Sequence, residues 1–290
     1  MSTHASPPPA AAVSGRVLAL LTALAVTLGA AFVLAPGRLA AGPSDGGFGE
    51  RRNLVATLRQ GFVEYWKSGD RSFSPELERV VDYWYRYHVV KAVCAALLLV
   101  VLVVLSVLLW KAFLRGTTAL RTGALASAGV VVTVLALGSL AALMANVQGA
   151  TAPFSSVVSM LPLGAPDGQL AGVVDQVRQD LAHYSGADGQ HTPAVEVMVN
   201  DFGRYHAVLA VAASIVAVVL IGLSVLAWKR FAGARARGAG RQERRVRRLL
   251  GALGVVSVLL SCATIIIVVA NVGTAADPAP ALLGFFEGGW

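Results

Sequence analysis

The chain has 290 residues, 56% of them hydrophobic and 14% charged, with a mean hydropathy of +0.67. Soluble domains carry roughly 25% charged residues, so this balance argues against a soluble domain and predicts a multi-pass membrane protein. The net charge of +8 is one-sided: Arg16, Lys111 to Arg121 and Lys229 to Arg248 carry a net +12, whereas residues 148–206 and 273–290 carry −4 and −2. That is the positive-inside pattern of membrane topology, and it leaves nucleic acid unnecessary as a partner.

Residues 1–16, with Pro7-Pro8-Pro9 and no periodicity, read as a short disordered cytoplasmic tail. Val17 to Ala35 is the first apolar run, preceded by Arg16 and followed by Pro36-Gly37. It exceeds the usual signal-peptide core of about 7–15 residues, so an uncleaved signal anchor is preferred over a cleaved leader. Arg51 to Trp66 then switches to an amphipathic helical pattern, with Leu54, Leu58, Phe62 and Tyr65 on one face. Ser74-Pro75-Glu76-Leu77-Glu78 starts another helix: serine caps, proline suits the first turn and the acids favour the N-terminal dipole. This helix is predicted to run through Tyr83-Trp84-Tyr85, an interfacial aromatic belt, into a second span from Val89 to Trp110. Lys91 lies about one turn inside, where its stem can snorkel. A basic connection, Lys111 to Arg121, leads to a third span from Thr122 to Val147.

The same series then recurs. Leu170 to Tyr184 is amphipathic, Thr192-Pro193-Ala194-Val195-Glu196 repeats the helix start 118 residues on, and span four covers Ala207 to Trp228. An arginine-rich connection precedes span five, Leu249 to Val272. Arg86-Tyr87-His88 and Trp110-Lys111-Ala112-Phe113 return as Arg204-Tyr205-His206 and Trp228-Lys229-Arg230-Phe231 at an offset of 118, and Ala145-Asn146-Val147 returns as Ala270-Asn271-Val272 at 125. The extra residues fall in the basic connection, where insertion is tolerated.

The expected fold is therefore an all-α integral membrane protein. Its five spans comprise an N-terminal signal anchor (residues 17–35) and a parallel tandem repeat of two helical hairpins with outer amphipathic helices, covering residues 36–153 and 154–290. The basic connections place the N-terminus in the cytoplasm and the C-terminus outside. The excess of arginine over lysine, with abundant Ala, Gly and Val, suits a bacterial plasma-membrane protein.

Candidate polar sites are few. Arg86 and Arg204 read as anchors for lipid phosphate, and His88 and His206 as residues bonded to a neighbour. A sharper alternative pairs the two histidines across the pseudo-symmetry axis around haem or a metal. Asn146 and Asn271 end the returning spans at the depth where the histidines enter, so each can bond the histidine of its own hairpin. The cluster Arg235, Arg237, Arg241, Arg244, Arg245, Arg247, Arg248 suits anionic lipid headgroups. Cys94 and Cys262 lie in apolar runs at different depths and are expected to be unpaired. No catalytic or metal-spaced motif emerges. The expected function is a non-enzymatic structural or accessory component without a cofactor, meeting a membrane or envelope partner through its outer helices. A solute- or ion-permeation protein using the cleft between repeats is the alternative, and a haem- or metal-bearing redox protein a third reading.

Overall fold

The computed structural model describes residues 14–43, 45–116, 118–184, 191–235 and 240–288. Among them every regular element is a helix: α1 (Gly15–Leu34), α2 (Pro36–Leu39), α3 (Arg51–Ser68), α4 (Pro75–Arg115), α5 (Ala119–Thr151), α6 (Pro153–Val158), α7 (Gly168–Ala182), α8 (Pro193–Arg235), α9 (Arg241–Ala276) and α10 (Pro278–Phe286). Five of them, α1, α4, α5, α8 and α9, are long and apolar enough to cross a membrane. At 1.5 Å per residue, the 41 residues of α4 span about 60 Å, twice the roughly 30 Å of a hydrocarbon core. Its first third therefore stands clear of the apolar zone.

The start of α4 follows its sequence. The Ser74 hydroxyl accepts from the Leu77 amide, Pro75 occupies the first turn, and Glu76 and Glu78 sit where the helix dipole favours them. At the end of α3, Gly69 takes a left-handed φ of 66° and closes the helix.

α4 packs along α5 to form one hairpin, and α8 along α9 to form the other; α1 lies against α4, and α5 joins the hairpins by packing on α8. The starts of α4 and α8, with α3, α6, α7 and α10, make a cap at one end of the bundle around a single apolar core that includes Phe62, Leu77, Phe154, Val174, Val195 and Phe286. Fully burying such a side chain is worth about 1.5–3 kcal/mol. Polar contacts tie the cap together: Arg59 pairs with Asp167, Trp66 Nε1 donates to Gln176 Oε1 at 3.0 Å, and the Tyr65 hydroxyl donates to the Ala194 carbonyl at 3.1 Å. Burial, reinforced by the charge of Asp201, holds the Tyr65 phenol above the ordinary tyrosine range. Cys94 and Cys262 are free thiols.

Several boundaries differ from the sequence reading. The first helix begins at Gly15 and includes Arg16, which that reading left in the tail; residues 1–13 lie outside the described residues. α4 continues through Lys111 to Arg115 and α5 starts at Ala119, so the basic connection shrinks to residues 116–118. α9 likewise starts at Arg241, taking the arginines into the helix. Basic side chains are good helix formers and can reach water from the last turns of a span. The amphipathic helices α3 and α7 pack on each other, and beyond that α3 packs on α4 and α7 on α10. Beyond span five, residues 278–286 form a further helix, α10, and Phe286 stacks on Phe62 with ring centres 6.3 Å apart.

Candidate functional site

The polar residues singled out by sequence gather where α4 and α8 pass from the cap into the apolar zone. His88 Nδ1 lies 2.9 Å from Asn146 Oδ1, and His206 Nδ1 lies 2.8 Å from Asn271 Oδ1. Each asparagine donates its Nδ2 to the carbonyl one turn back, Ala142 at 2.7 Å and Ile267 at 2.8 Å. That fixes Oδ1 toward the imidazole, so Nδ1 carries the proton and Nε2 is left as an acceptor.

At Nε2 the two sites diverge. His88 Nε2 is 3.2 Å from Ser156 Oγ, which also accepts from Trp84 Nε1 at 3.0 Å. His206 Nε2 is buried and has no hydrogen-bond partner among the described residues. Ser156 and Ala281 both stand three residues after the proline that opens α6 or α10, so at this position of the sequence the second hairpin has a methyl where the first has a hydroxyl. The close approach of α5 at His88 requires a glycine, since a Cβ on Gly149 would stand 2.7 Å from the ring. Thr274 follows Asn271 by the same three residues.

The two anchoring arginines behave differently. Arg86 donates from Nη2 to Asp45 Oδ2 at 2.8 Å and from Nε to the Ala40 carbonyl at 2.9 Å. Asp45 is only 4% exposed, so Arg86 pins the segment after α2 against α4. Arg86 thus has a protein carboxylate as partner, a structural contact beside the lipid phosphate expected of it. Arg204 is exposed. Lys91 Nζ lies 4.5 Å from the Phe32 ring centre of α1, a cation–π contact. His191 stacks on Tyr184 at 4.3 Å, and His183 Nδ1 contacts the Gln179 carbonyl at 2.7 Å.

At the other end of the bundle, Trp110 lies over Gly129 and Trp228 over Gly254; a Cβ on either glycine would meet the indole at 3.1 or 2.8 Å. Trp110 Nε1 also donates to Thr133 Oγ1 at 3.1 Å, which in turn lies 2.8 Å from Ser106 Oγ. The sequence marks these tryptophans as part of its repeat but not the glycines they cover. The matching offsets, 118 for the tryptophans and 125 for the glycines, were the signal that marks them. In the basic cluster, Arg245 Nη1 donates to the Gly116 carbonyl at 2.7 Å and ties the start of α9 to the connection between α4 and α5. Arg237 lies outside the described residues.

A cavity of about 370 Å³ opens beside the His88 site. Its walls come from the α6 segment (Phe154, Ser155, Ser156, Ser159), from α8 (Met198, Phe202, Tyr205) and from α10 (Leu282, Phe285), so both hairpins and both short proline-started helices contribute. Asn146 and Asn271 are not among its lining residues. Among the described residues, no group of three or more His, Cys, Asp or Glu side chains is placed to hold a metal. Comparison with family models, with curated proteins and with solved structures finds no match to this chain.

Proposed function

We propose that this chain is a non-enzymatic membrane protein, a structural or accessory component that meets a membrane or envelope partner through an extracytoplasmic helical cap. The observation that carries the reading is the cap itself: one apolar core gathers α3, α6, α7 and α10 with the starts of α4 and α8 at one end, while three residues separate α4 from α5 at the other. The cap is thus the large folded surface the chain offers outside the apolar zone. The polar groups nearest to chemistry are turned inward, His88 and His206 toward the asparagines of their own hairpins. A permeation path would instead need Asn146 and Asn271 on a wet cleft.

In this reading the chain is a parallel duplication. The His–Asn bonds, the Trp–Gly contacts and the proline-started helices α6 and α10 recur in both hairpins at the offsets of the sequence repeat. α1 and α2 stand before α4 as α5 and α6 stand before α8, half a unit that opens the array, and the Phe32–Lys91 contact supports retention of α1 as a signal anchor. The one-sided arginines set the N-terminus in the cytoplasm of a bacterial cell and attract anionic lipid.

Native mass spectrometry of the gently solubilised protein, with an absorption spectrum of the same sample, tests the proposal. A stoichiometric protein partner without a Soret band is expected. A Soret band that disappears in His88→Ala or His206→Ala would overturn it in favour of a haem protein.

A further inference from the structure

The cavity between α6, α8 and α10 has a chemistry that selects its occupant. Its volume of about 370 Å³ falls in the range of small-molecule sites, about 300–1,000 Å³. It lies beside Tyr205, the residue before the histidine at which the apolar run of α8 begins, and therefore at headgroup depth in a bilayer. Most of its wall is hydrocarbon or aromatic: Phe154, Met198, Phe202, Leu282 and Phe285.

The polar wall consists of three serines whose hydroxyl protons are already committed, together with Tyr205, whose phenol can donate or accept. Ser155 donates both its amide, at 2.8 Å, and its hydroxyl, at 2.9 Å, to Asp201 Oδ2. Ser159 donates to the Ser156 carbonyl at 2.6 Å. Ser156 receives the Trp84 indole proton, and its own proton points to His88 Nε2, because Asn146 holds the histidine proton on Nδ1. A hydroxyl offers one donor and two acceptor lone pairs, so what remains on the serines of the α6 segment is acceptor capacity, three acceptors beside the one Tyr205 hydroxyl. A ligand bearing a carboxylate or phosphate meets lone pairs with lone pairs; one bearing O–H or N–H meets complementary sites.

We propose that this cavity binds a single-chain amphiphile whose head donates hydrogen bonds, a long-chain alcohol or amine, with its tail against Phe202, Leu282 and Phe285 and its head on the serines of the α6 segment. Such a ligand would bridge the two hairpins, and the site stands whether or not the cap has a protein partner.

The test is photolabelling of the full chain in phosphatidylcholine nanodiscs with a dodecanol analogue carrying a diazirine near its head, in parallel with the equivalent dodecanoic acid, followed by peptide mapping. The expected result is labelling concentrated in residues 154–159 and 198–205, stronger for the alcohol by roughly fivefold, the equivalent of one net hydrogen bond. Unlabelled dodecanol should compete and tail-less glycerol should not. Ser159 is exposed, so Ser159→Trp can block the mouth without entering the core, and labelling should fall by a similar factor while the thermal midpoint holds. If Ser159→Trp proves unstable, competition on the unmodified protein decides. Equal labelling by acid and alcohol, competition by glycerol, or label spread along lipid-facing α9 residues such as Ile266 would overturn the proposal.

Discussion

Replacing Ala281 with serine should stabilise this protein. In the first hairpin both ring nitrogens of the histidine are engaged, Nδ1 by Asn146 and Nε2 by Ser156. In the second, Asn271 holds Nδ1 while Nε2 stays buried with no partner among the described residues. Ala281 is the counterpart of Ser156 and packs half-buried against the cap core. A buried acceptor without a partner costs about 1–3 kcal/mol, and a hydrogen bond restored to it returns about 0.5–1.5 kcal/mol net. Against this stands the lower helix propensity of serine, at most about 0.7 kcal/mol. The net expectation is about 0.5 kcal/mol in favour of A281S, a rise of roughly 1–2 °C in Tm at the scale of about 2–4 °C per kcal/mol for chains of 150–250 residues. The assay is thermal unfolding in one detergent at one scan rate, with Ala281→Val as the volume control and each substitution repeated in a His206→Phe background. The reasoning predicts a gain that is absent from A281V and vanishes with His206. A loss of stability in A281S, or a gain that persists without the imidazole, would refute it.

The converse change, Ser156→Ala, removes a partner from both Trp84 and His88 and should lower stability by about 1–3 kcal/mol, read from the same melts. Gly149→Ala drives a methyl into the His88 ring and should cost about 1–3 kcal/mol, whereas Thr274→Ala at the corresponding place should stay within about 0.5 kcal/mol. Tyr65 supplies a pH signature. Its phenol is held above the ordinary value of about 10, so the folded state keeps a proton that the unfolded state releases. Its contribution is complete below pH 10 or so and is lost as pH rises from there toward the folded value. Tyr65→Phe should flatten the alkaline fall in Tm and cost about 0.5–1.5 kcal/mol at neutral pH through the lost bond to Ala194; an alkaline limb identical to that of the parent would contradict this.

The five long helices were legible because apolar runs of this length admit few other structures, and Ser74-Pro75-Glu76 announced the start of α4 two turns before its first aromatic belt residue. The helix ends near the basic connections were not legible: arginine and lysine read as loop residues in a hydropathy profile yet are good helix formers, so α4, α5 and α9 extend into what looked like connection. The partnership of each histidine with an asparagine follows from antiparallel register once the hairpins are drawn. The identity of the third partner, Ser156 or Ala281, does not, because it comes from a short helix whose angle is set by core packing rather than by periodicity. The carboxylate partner of Arg86 was hidden for a similar reason: Asp45 sits in an irregular segment that carries no pattern. The cavity was invisible to sequence altogether, since its walls come from three elements whose approach only the tertiary structure defines.

The claim on which most depends is that the cap is an interaction surface. Placing a photo-crosslinking amino acid, one at a time, at the exposed cap positions Arg52, Glu64, Glu78, Asp175 and Gln179 and irradiating intact cells tests it most directly, with lipid-facing Ile266 as the control. A discrete protein adduct from a contiguous subset of cap positions, absent from Ile266, is the predicted result. Irradiation that yields no protein adduct from any cap position, or the same adducts from Ile266, would contradict the account.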